Sequence, residues 1–366
     1  MEARGLSVQW PCDYDVLHAN DQPTVTGDPS TPHRRRPRYP GQHPRRFDEK
    51  YKEHEPGQYP DTVAKVLASG KTPAGAHVPI LVAEILEALD PRPGETAVDC
   101  TLGYGGHARA IVQRLQPGGK LLGLDADPLE LPKTEARMRR LGFGPDIFVV
   151  RRSNFAGLPQ ALAAEGLAGA DCILADLGVS SMQLDTPGRG FSIKTPGPLD
   201  MRMNPNRGQP ASALLLKTQP AELAALLTEN ADEPQALTLA DALAGRSLER
   251  TTDLAEAIRA ALSHVREEER EKSVRRVFQA LRVAVNEEFI ALDTLLRHLP
   301  QCMNPGGRVA IVAFHSGEDR RVKKAFQAGL RDGLYTAIAD TIVRPTPEEC
   351  RSNPRASAAK LRWARR

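Results

Sequence analysis

Apolar and polar positions between residues 96 and 176 alternate between short apolar runs and longer amphipathic segments. The apolar runs have the length of buried strands and lie at 97–100, 120–124, 147–151 and 171–175. The segments between them have helical spacing and lie at 107–115, 130–141 and 158–165. Strands that alternate with helices predict an α/β fold, with a parallel sheet covered by helices on both faces.

The alternation stops after residue 181. Residues 182–209 are rich in proline and glycine and predict a loop, whereas 211–270 have the composition and spacing of helices. A single long helix is then predicted at 277–299, a strand at 308–314 and a basic loop from Arg344 onwards. We therefore expect a sheet domain formed by 61–181 and 275–366, interrupted by a mainly helical insertion at 182–274.

The first 60 residues differ from the rest, being rich in Pro, His and Arg and poor in Leu, Ile and Val. This composition predicts a partly disordered arm at 1–60. Arginines at 34–36 and 45–46 alternate with Tyr39 and Phe47, a combination that suits contacts with RNA phosphates and stacking on bases. A solvated basic tail without a partner is the alternative.

Composition excludes several classes of protein. The chain has 366 residues, of which 40% are hydrophobic and 26% charged, and the net charge of +3 does not by itself indicate a nucleic-acid partner. Its five cysteines have no CxxC spacing, so we expect reduced thiols and no metal site. No apolar stretch is long enough for a membrane span, and residues 1–10 do not resemble a secretory signal. A cytoplasmic enzyme is expected, and its oligomeric state stays open.

A glycine-rich loop, Gly103-Tyr104-Gly105-Gly106-His107, follows the first predicted strand and precedes a helix. Such a loop allows a ligand to approach the backbone, and the helix start offers free N–H groups to an anion. Asp125 ends the next strand, where its carboxylate can accept hydrogen bonds from ribose hydroxyls. The glycine spacing, with Ala108, also fits a dinucleotide, so nicotinamide cofactors and S-adenosylmethionine both remain possible.

Asp176 ends the fourth predicted strand and is followed by small residues. A carboxylate in this position can hold an amine by its N–H and orient the nitrogen lone pair toward a methyl donor. The exocyclic amine of cytosine needs such help, because its lone pair is delocalised into the ring. This chemistry needs no metal, and it makes Asp176 the candidate catalytic residue.

Several longer motifs occur in a fixed order along the chain. They are Asp99-Cys-Thr-Leu-Gly-Tyr-Gly-Gly-His107, Asp176-Leu-Gly-Val-Ser-Ser-Met-Gln183, Arg189-Gly-Phe-Ser192, Gly197-Pro-Leu-Asp-Met-Arg-Met-Asn-Pro205, Phe278-Gln-Ala-Leu-Arg-Val-Ala-Val-Asn-Glu287, Gly306-Gly-Arg308 and Phe314-His-Ser-Gly-Glu-Asp-Arg320. From about His77 to Ala356, the chain resembles the bacterial 16S rRNA (cytosine-N4)-methyltransferases, the RsmH or MraW family. It departs from the family pattern at Met182 and Gly317, and neither change removes a polar group.

The resemblance implies a class I, Rossmann-like methyltransferase sheet that uses S-adenosylmethionine and carries an inserted helical domain for substrate recognition. It implies a 16S rRNA substrate in the small ribosomal subunit, cytidine 1402 of the decoding centre, methylated at N4. The cofactor contacts that it implies are Gly105, Gly106, His107, Asp125, Phe155, Asp176 and Gln183. Phe155 also suits the core. A non-catalytic RNA-binding assembly factor and a nicotinamide-dependent oxidoreductase are the alternative functions.

Three arginines leave two interpretations open, because each suits either a phosphate contact or a structural ion pair. They are Arg189, Arg202 and Arg320. The loop at His315-Ser316 follows a predicted strand, and we expect it to line the pocket of the target base.

Overall fold

The computed structural model describes residues 79–366, so the predicted arm at 1–60 lies outside the described residues. Within them, seven strands form one sheet in the order β3-β2-β1-β4-β5-β7-β6. Their bounds are β1 Thr96–Asp99, β2 Lys120–Asp125, β3 Phe148–Arg152, β4 Ala170–Asp176, β5 Met303–Ala313, β6 Ala337–Ile338 and β7 Lys360–Arg365. Strands β1 to β5 are parallel, whereas β7 pairs antiparallel with both β5 and β6. The predicted α/β fold is confirmed, and the four predicted strands before residue 177 lie within one residue of their expected bounds.

Helices cover both faces of the sheet. The helices before the insertion are α1 Val82–Leu89, α2 Gly106–Arg114, α3 Leu131–Arg140, α4 Leu158–Ala164 and the short α5 Ser181–Asp185. Apolar residues of α1, α2 and α3 pack on one face, where Leu121 and Leu174 are fully buried. Residues of α4 and of later helices pack on the other face, around Val98 and Ile173. Burial on both faces explains why these strands are continuous apolar runs.

The chain topology places a crevice at one edge of this sheet. From β1 the chain moves outward to β2 and β3, and it then returns to place β4 on the other side of β1. Neighbouring connections leave β1 and β4 in opposite directions, which opens a crevice beyond their carboxyl ends. Asp99 and Asp176 end these two strands and therefore lie at the crevice.

Helices dominate the segment between β4 and β5. They are α6 Ala211–Lys217, α7 Pro220–Ala231, α8 Ala236–Leu243, α9 Thr251–Ala261, α10 Glu267–Val285 and α11 Glu288–Cys302. Buried residues from Phe191 to Leu281 form an apolar cluster separate from the two sheet cores. Beyond β5 lie α12 Ser316–Arg331 and α13 Pro347–Ser352. Within residues 79–366, no helix has the length and apolar character that crossing a membrane requires.

The single long helix predicted at 277–299 is wrong, because the chain breaks it between α10 and α11. Glu287 has a left-handed backbone with φ of 51°. The side chain of Asn286 donates to the carbonyl oxygen of Met201 and accepts the N–H of Met203, at 2.8 and 2.7 Å. These contacts are made with a segment more than 80 residues away, so the helical spacing of residues 277–299 could not predict them.

The tail was also predicted wrongly, since residues 360–365 form β7 rather than a basic loop. Leu361 and Ala364 are fully buried between β5 and β6, while Arg362 pairs with Asp319 at 2.7 Å. The predicted loop at 182–209 contains most of the short helix α5.

Candidate active site

A cavity of about 430 Å³ lies beyond the carboxyl ends of β1, β2 and β4. Its walls include all seven residues that the family resemblance implies as cofactor contacts: Gly105, Gly106, His107, Asp125, Phe155, Asp176 and Gln183. Phe155 is half-buried, and it lines the cavity while it also packs against a sheet core. Its position therefore allows both a cofactor contact and a role in the core. The fold therefore brings together residues that are spread over 79 positions of the chain, from 105 to 183.

The glycine loop needs glycine for steric reasons. Gly105 has φ of 84°, and a Cβ there would lie 2.9 Å from the Cγ2 atom of Thr134. A Cβ on Gly106 would overlap the ring of Pro79. Helix α2 begins at Gly106 without a side-chain cap, so its first N–H groups remain available to an anionic group in the cavity.

Asp125 connects this loop to the next strand. Its Oδ2 accepts the N–H of Gly103 at 2.7 Å, and its Oδ1 accepts the N–H of Asp127 at 2.8 Å. Burial raises the pKa of Asp125 to about 6, although the two backbone hydrogen bonds oppose the rise. Each carboxylate oxygen retains a lone pair, so the group can hold the loop and still accept a hydrogen bond from a ligand hydroxyl.

Asp176 is the polar group of the cavity that most lacks partners. Its Oδ1 is buried and has no hydrogen-bond partner among residues 79–366. Its Oδ2 lies 3.6 Å from Nδ1 of His107. Burial, followed by the negative charge of Glu318, raises the pKa of Asp176 to about 7. A donor or a cation from a ligand would satisfy this carboxylate.

His107 is buried beside Asp176 and is held in one tautomer. Its Nε2 lies 2.9 Å from the carbonyl oxygen of Ile80, and because a carbonyl can only accept, Nε2 carries the proton. Burial lowers the pKa of His107, although the charge of Asp99 opposes this effect. The neutral ring therefore directs the lone pair of Nδ1 toward Asp176. The imidazole contributes to the site in addition to the backbone N–H that the sequence indicated.

Gln183 lines the cavity, but its amide is largely engaged by the protein. Its Oε1 accepts the N–H of Ser180 at 2.9 Å in a capping box, and its Nε2 donates to Asp127 at 3.0 Å. Asp127 is buried and also accepts Nη1 of Arg189 at 2.7 Å. Asp127 was not predicted from the sequence, although its place two residues after Asp125 was a usable signal.

The three arginines with two interpretations all form ion pairs in the structure. Arg189 pairs with Asp127, Arg202 with Asp200 and Arg320 with Asp232. Arg189 also donates from Nη2 to the carbonyl oxygens of residues 202 and 203, at 3.0 and 2.7 Å. It thereby ties the loop that follows α5 to the strand that bears Asp125.

Residues 79–366 contain no cluster of His, Cys, Asp or Glu side chains arranged to hold a metal ion. The described cysteines are all free thiols, and Cys100, Cys172 and Cys302 are buried.

Comparisons with known proteins agree with this geometry. A family model described as the MraW methylase family matches residues 74–366. The chain is 49% identical over 339 residues to "Ribosomal RNA small subunit methyltransferase H 2" of Alkaliphilus metalliredigens, covering 90% of this chain and 97% of that protein. It is 46% identical over 352 residues to "Ribosomal RNA small subunit methyltransferase H 1" of Lachnoclostridium phytofermentans, covering 94% and 95%.

A solved structure of a SAM-dependent methyltransferase from Aquifex aeolicus is 10% identical, with a TM-score of 0.35 over 78% of this chain and 89% of that one. That likeness is too distant to indicate a ligand or an activity. The family match covers most of the chain and includes the whole cavity. This chain belongs to the MraW methylase family, and its cofactor is S-adenosylmethionine.

Proposed function

We propose that the protein transfers a methyl group from S-adenosylmethionine to N4 of a cytidine in 16S rRNA of the small ribosomal subunit, the cytidine at position 1402. The observation that carries the proposal is the carboxylate of Asp176, which is buried at the end of β4 with one oxygen unpartnered. The relatives named as small-subunit rRNA methyltransferases support the substrate.

The cavity suits each part of the cofactor. The carboxylate of the methionine portion fits the uncapped start of α2 at Gly106 and His107, where N–H groups are available. The ribose hydroxyls fit the remaining lone pairs of Asp125, and the adenine fits beside Phe155. The sulfonium and ammonium cations of the cofactor fit beside the carboxylate of Asp176, of which one oxygen has no partner. Gln183 acts chiefly by holding Asp127 and the turn at Ser180.

Bound S-adenosylmethionine supplies an electrophilic methyl group. The protein must orient the target amine, whose delocalised lone pair makes it a poor nucleophile. In our proposal, Asp176 accepts an N–H of the amine, directs its lone pair to the methyl group and receives the proton released on transfer. A pKa of about 7 allows this carboxylate to be ionised before the step and protonated after it. His107 supports the group, since its Nδ1 can share the proton held on Oδ2.

Substrate recognition is assigned to regions outside the sheet. We propose that the helical segment within 182–274 contacts the RNA. We also propose that the basic arm at 1–60 contacts its phosphates. Removal of residues 1–46 should weaken binding of the small subunit and reduce its salt dependence, with the affinity for S-adenosylmethionine unchanged. An unchanged salt dependence would assign the arm to the solvated-tail alternative.

An rRNA substrate also implies a cytoplasmic location.

The test uses labelled S-adenosylmethionine and small subunits from cells that lack this methylation. We expect label in N4-methylcytidine at one position of 16S rRNA. Subunit binding without transfer would instead support a non-catalytic assembly factor. Binding of a nicotinamide cofactor without affinity for S-adenosylmethionine would support an oxidoreductase. Either result would overturn the proposed activity.

A further inference from the structure

A second cavity, of about 210 Å³, adjoins the cofactor cavity. Four residues line both: Val179, Leu184, Arg282 and Phe314. Because Asp176 pairs with Val312 in the sheet, Phe314 follows β5 next to the residues that follow Asp176. The shared wall therefore lies beside the carboxylate proposed to hold the target amine.

The walls of the second cavity are mainly apolar and aromatic. Phe191 and Phe278 are buried parts of the helical segment's core, whereas Phe314 packs against a sheet core and remains half-exposed. The cavity thus lies where the helical segment meets the end of the sheet. Its volume is below the roughly 300 Å³ at which pockets for drug-sized ligands begin, so it suits a single ring.

Arg282 places a cationic donor at the shared wall. Its Nε and Nη2 donate to the carboxylate of Glu288 at 2.8 and 2.9 Å, which holds the guanidinium in one orientation. Its Nη1 has no hydrogen-bond partner among residues 79–366. A Cβ on Gly178 would make ordinary contacts with this Nη1 at 4.0 Å and with Phe314 at 3.9 Å, so Gly178 lies beside both groups at the shared wall. Burial lowers the pKa of Arg282, but attraction by Glu288 and Glu318 raises it overall, and the group stays charged.

Arg275 places a second cation at the same cavity. It lies on α10 two turns before Arg282, and its side chain is exposed. Within the part of the chain that the structure describes, it has no hydrogen bond and no ion pair within 4.0 Å, although its charge helps to lower the pKa of Glu271 one turn away. An exposed guanidinium that no carboxylate binds directly, at the mouth of an aromatic cavity, suits a phosphate next to a bound base.

We propose that the second cavity binds the target cytidine, unstacked from its neighbours, with Nη1 of Arg282 donating to the acceptors on its base. This inference rests on the proposed function and adds the site of the RNA nucleotide. Cytosine has acceptors at N3 and O2, and N3 is adjacent to the carbon that bears the amine. Arg282 at the shared wall and Asp176 beyond it can therefore contact neighbouring atoms of one ring. In uracil, N3 bears a proton, which would face the guanidinium unfavourably.

The experiment measures methyl transfer to small subunits that lack this methylation, together with the affinity for S-adenosylmethionine by calorimetry. Arg282→Lys keeps the positive charge but loses the planar guanidinium, whose N–H donors have a fixed geometry. The kcat/KM for subunits should therefore fall about 10- to 100-fold. Arg275→Ala should raise KM for subunits and reduce the slope of log affinity against log salt by about 1, with cofactor affinity unchanged.

Arg297→Ala is the matched control for Arg275. Arg297 is also an exposed arginine on a helix, but it lies on α11, outside the segment 182–274, and lines neither cavity. It should leave KM and the salt slope unchanged, and equal losses in the two variants would overturn the assignment. If Arg282→Lys fails to fold, the kinetics and salt dependence of Arg275→Ala still test whether the second cavity binds the target nucleotide. Wild-type kinetics in folded variants of an active enzyme would overturn this site alone, whereas a wild-type enzyme that forms no N4-methylcytidine would overturn the proposed function as well.

Discussion

Replacing Asp176 with asparagine should separate the contributions of this residue to activity and to stability. The substitution keeps the size of the side chain but removes its negative charge and its ability to accept a proton. In the proposed mechanism both properties are needed at the target amine. Loss of a positioned proton acceptor typically lowers turnover by about 10²- to 10⁴-fold, and we expect a loss in this range.

The pH dependence tests the same carboxylate in the wild-type enzyme. With a pKa of about 7, Asp176 is ionised in only a small fraction of molecules at pH 6 and in most at pH 8. The kcat/KM for S-adenosylmethionine should therefore rise about tenfold between these values. The profile of kcat should have a lower midpoint, because the bound cation favours the carboxylate. The Asp176→Asn enzyme should lose the step near pH 7 and keep one near pH 6, where Asp125 titrates.

The stability of the ligand-free protein should change in the opposite direction. Folding raises the pKa of Asp176 from an ordinary value of 3.8 to about 7. A carboxyl with a raised pKa favours folding below its unfolded pKa, and this contribution is lost as the pH increases through the folded pKa. The asparagine variant should thus gain stability relative to wild type above about pH 4, up to a limit near pH 7. At about 1.4 kcal/mol per pH unit, the gain is at most about 4 kcal/mol.

Thermal denaturation of the two ligand-free proteins at pH 5 and pH 8 measures the stability effect, and steady-state kinetics across the same range measure turnover. A larger advantage of the variant at pH 8 than at pH 5, combined with slow turnover, would support both arguments. Wild-type turnover in the variant would remove Asp176 from the mechanism. A stability difference that does not change with pH would show that its carboxyl titrates in the ordinary range.

Three further substitutions test the structure around the cofactor and the sheet. Gly106→Ala should destabilise the protein by about 1 to 3 kcal/mol and weaken S-adenosylmethionine binding in calorimetry, because the added methyl group overlaps Pro79. Gly188→Ala is the control, and it should change neither stability nor cofactor binding, because Gly188 has open space around it. Asp125→Asn should raise the dissociation constant for S-adenosylmethionine about 10-fold or more without changing RNA affinity, since the amide oxygen of asparagine can replace only one of the two carboxylate oxygens that accept backbone N–H groups. A variant that binds the cofactor as tightly as the wild type would contradict this role. Arg308→Met removes a buried guanidinium that donates to the carbonyl oxygens of Leu89 and Asp90, at and just after the end of α1, and to the carboxylate of Glu95. Urea denaturation should therefore show a loss of about 3 kcal/mol, while the KM for cofactor at low temperature is retained.

Much of the sheet could be predicted from local sequence. The run at 170–176 is apolar because both faces of a central parallel strand are buried, and its terminal acid marks the point where the chain reaches the crevice. The same argument applies to the strand that ends at Asp125. The alternation of strands and helices then predicts a parallel sheet, whereas the order of its strands, and with it the position of the crevice, comes from the structure.

Elements that depend on distant partners could not be predicted in this way. Residues 360–365 contain three basic side chains and a tryptophan, and this composition suggested an exposed tail. They form a strand because β5 leaves an edge to pair with and because Asp319, far away in sequence, neutralises Arg362. The break between α10 and α11 similarly depends on the contacts of Asn286 with residues 201 and 203.

By itself, the sequence determined the residue types of the site and their order along the strands. The tertiary structure decided which of their polar atoms remain available. It engages the amide of Gln183 with Asp127 and Ser180, while it leaves Oδ1 of Asp176 without a partner and raises the pKa of that carboxyl. Hydrogen bonding, burial and charge depend on atoms from separate elements that meet only in the folded chain, and for this reason spacing along the sequence cannot specify them.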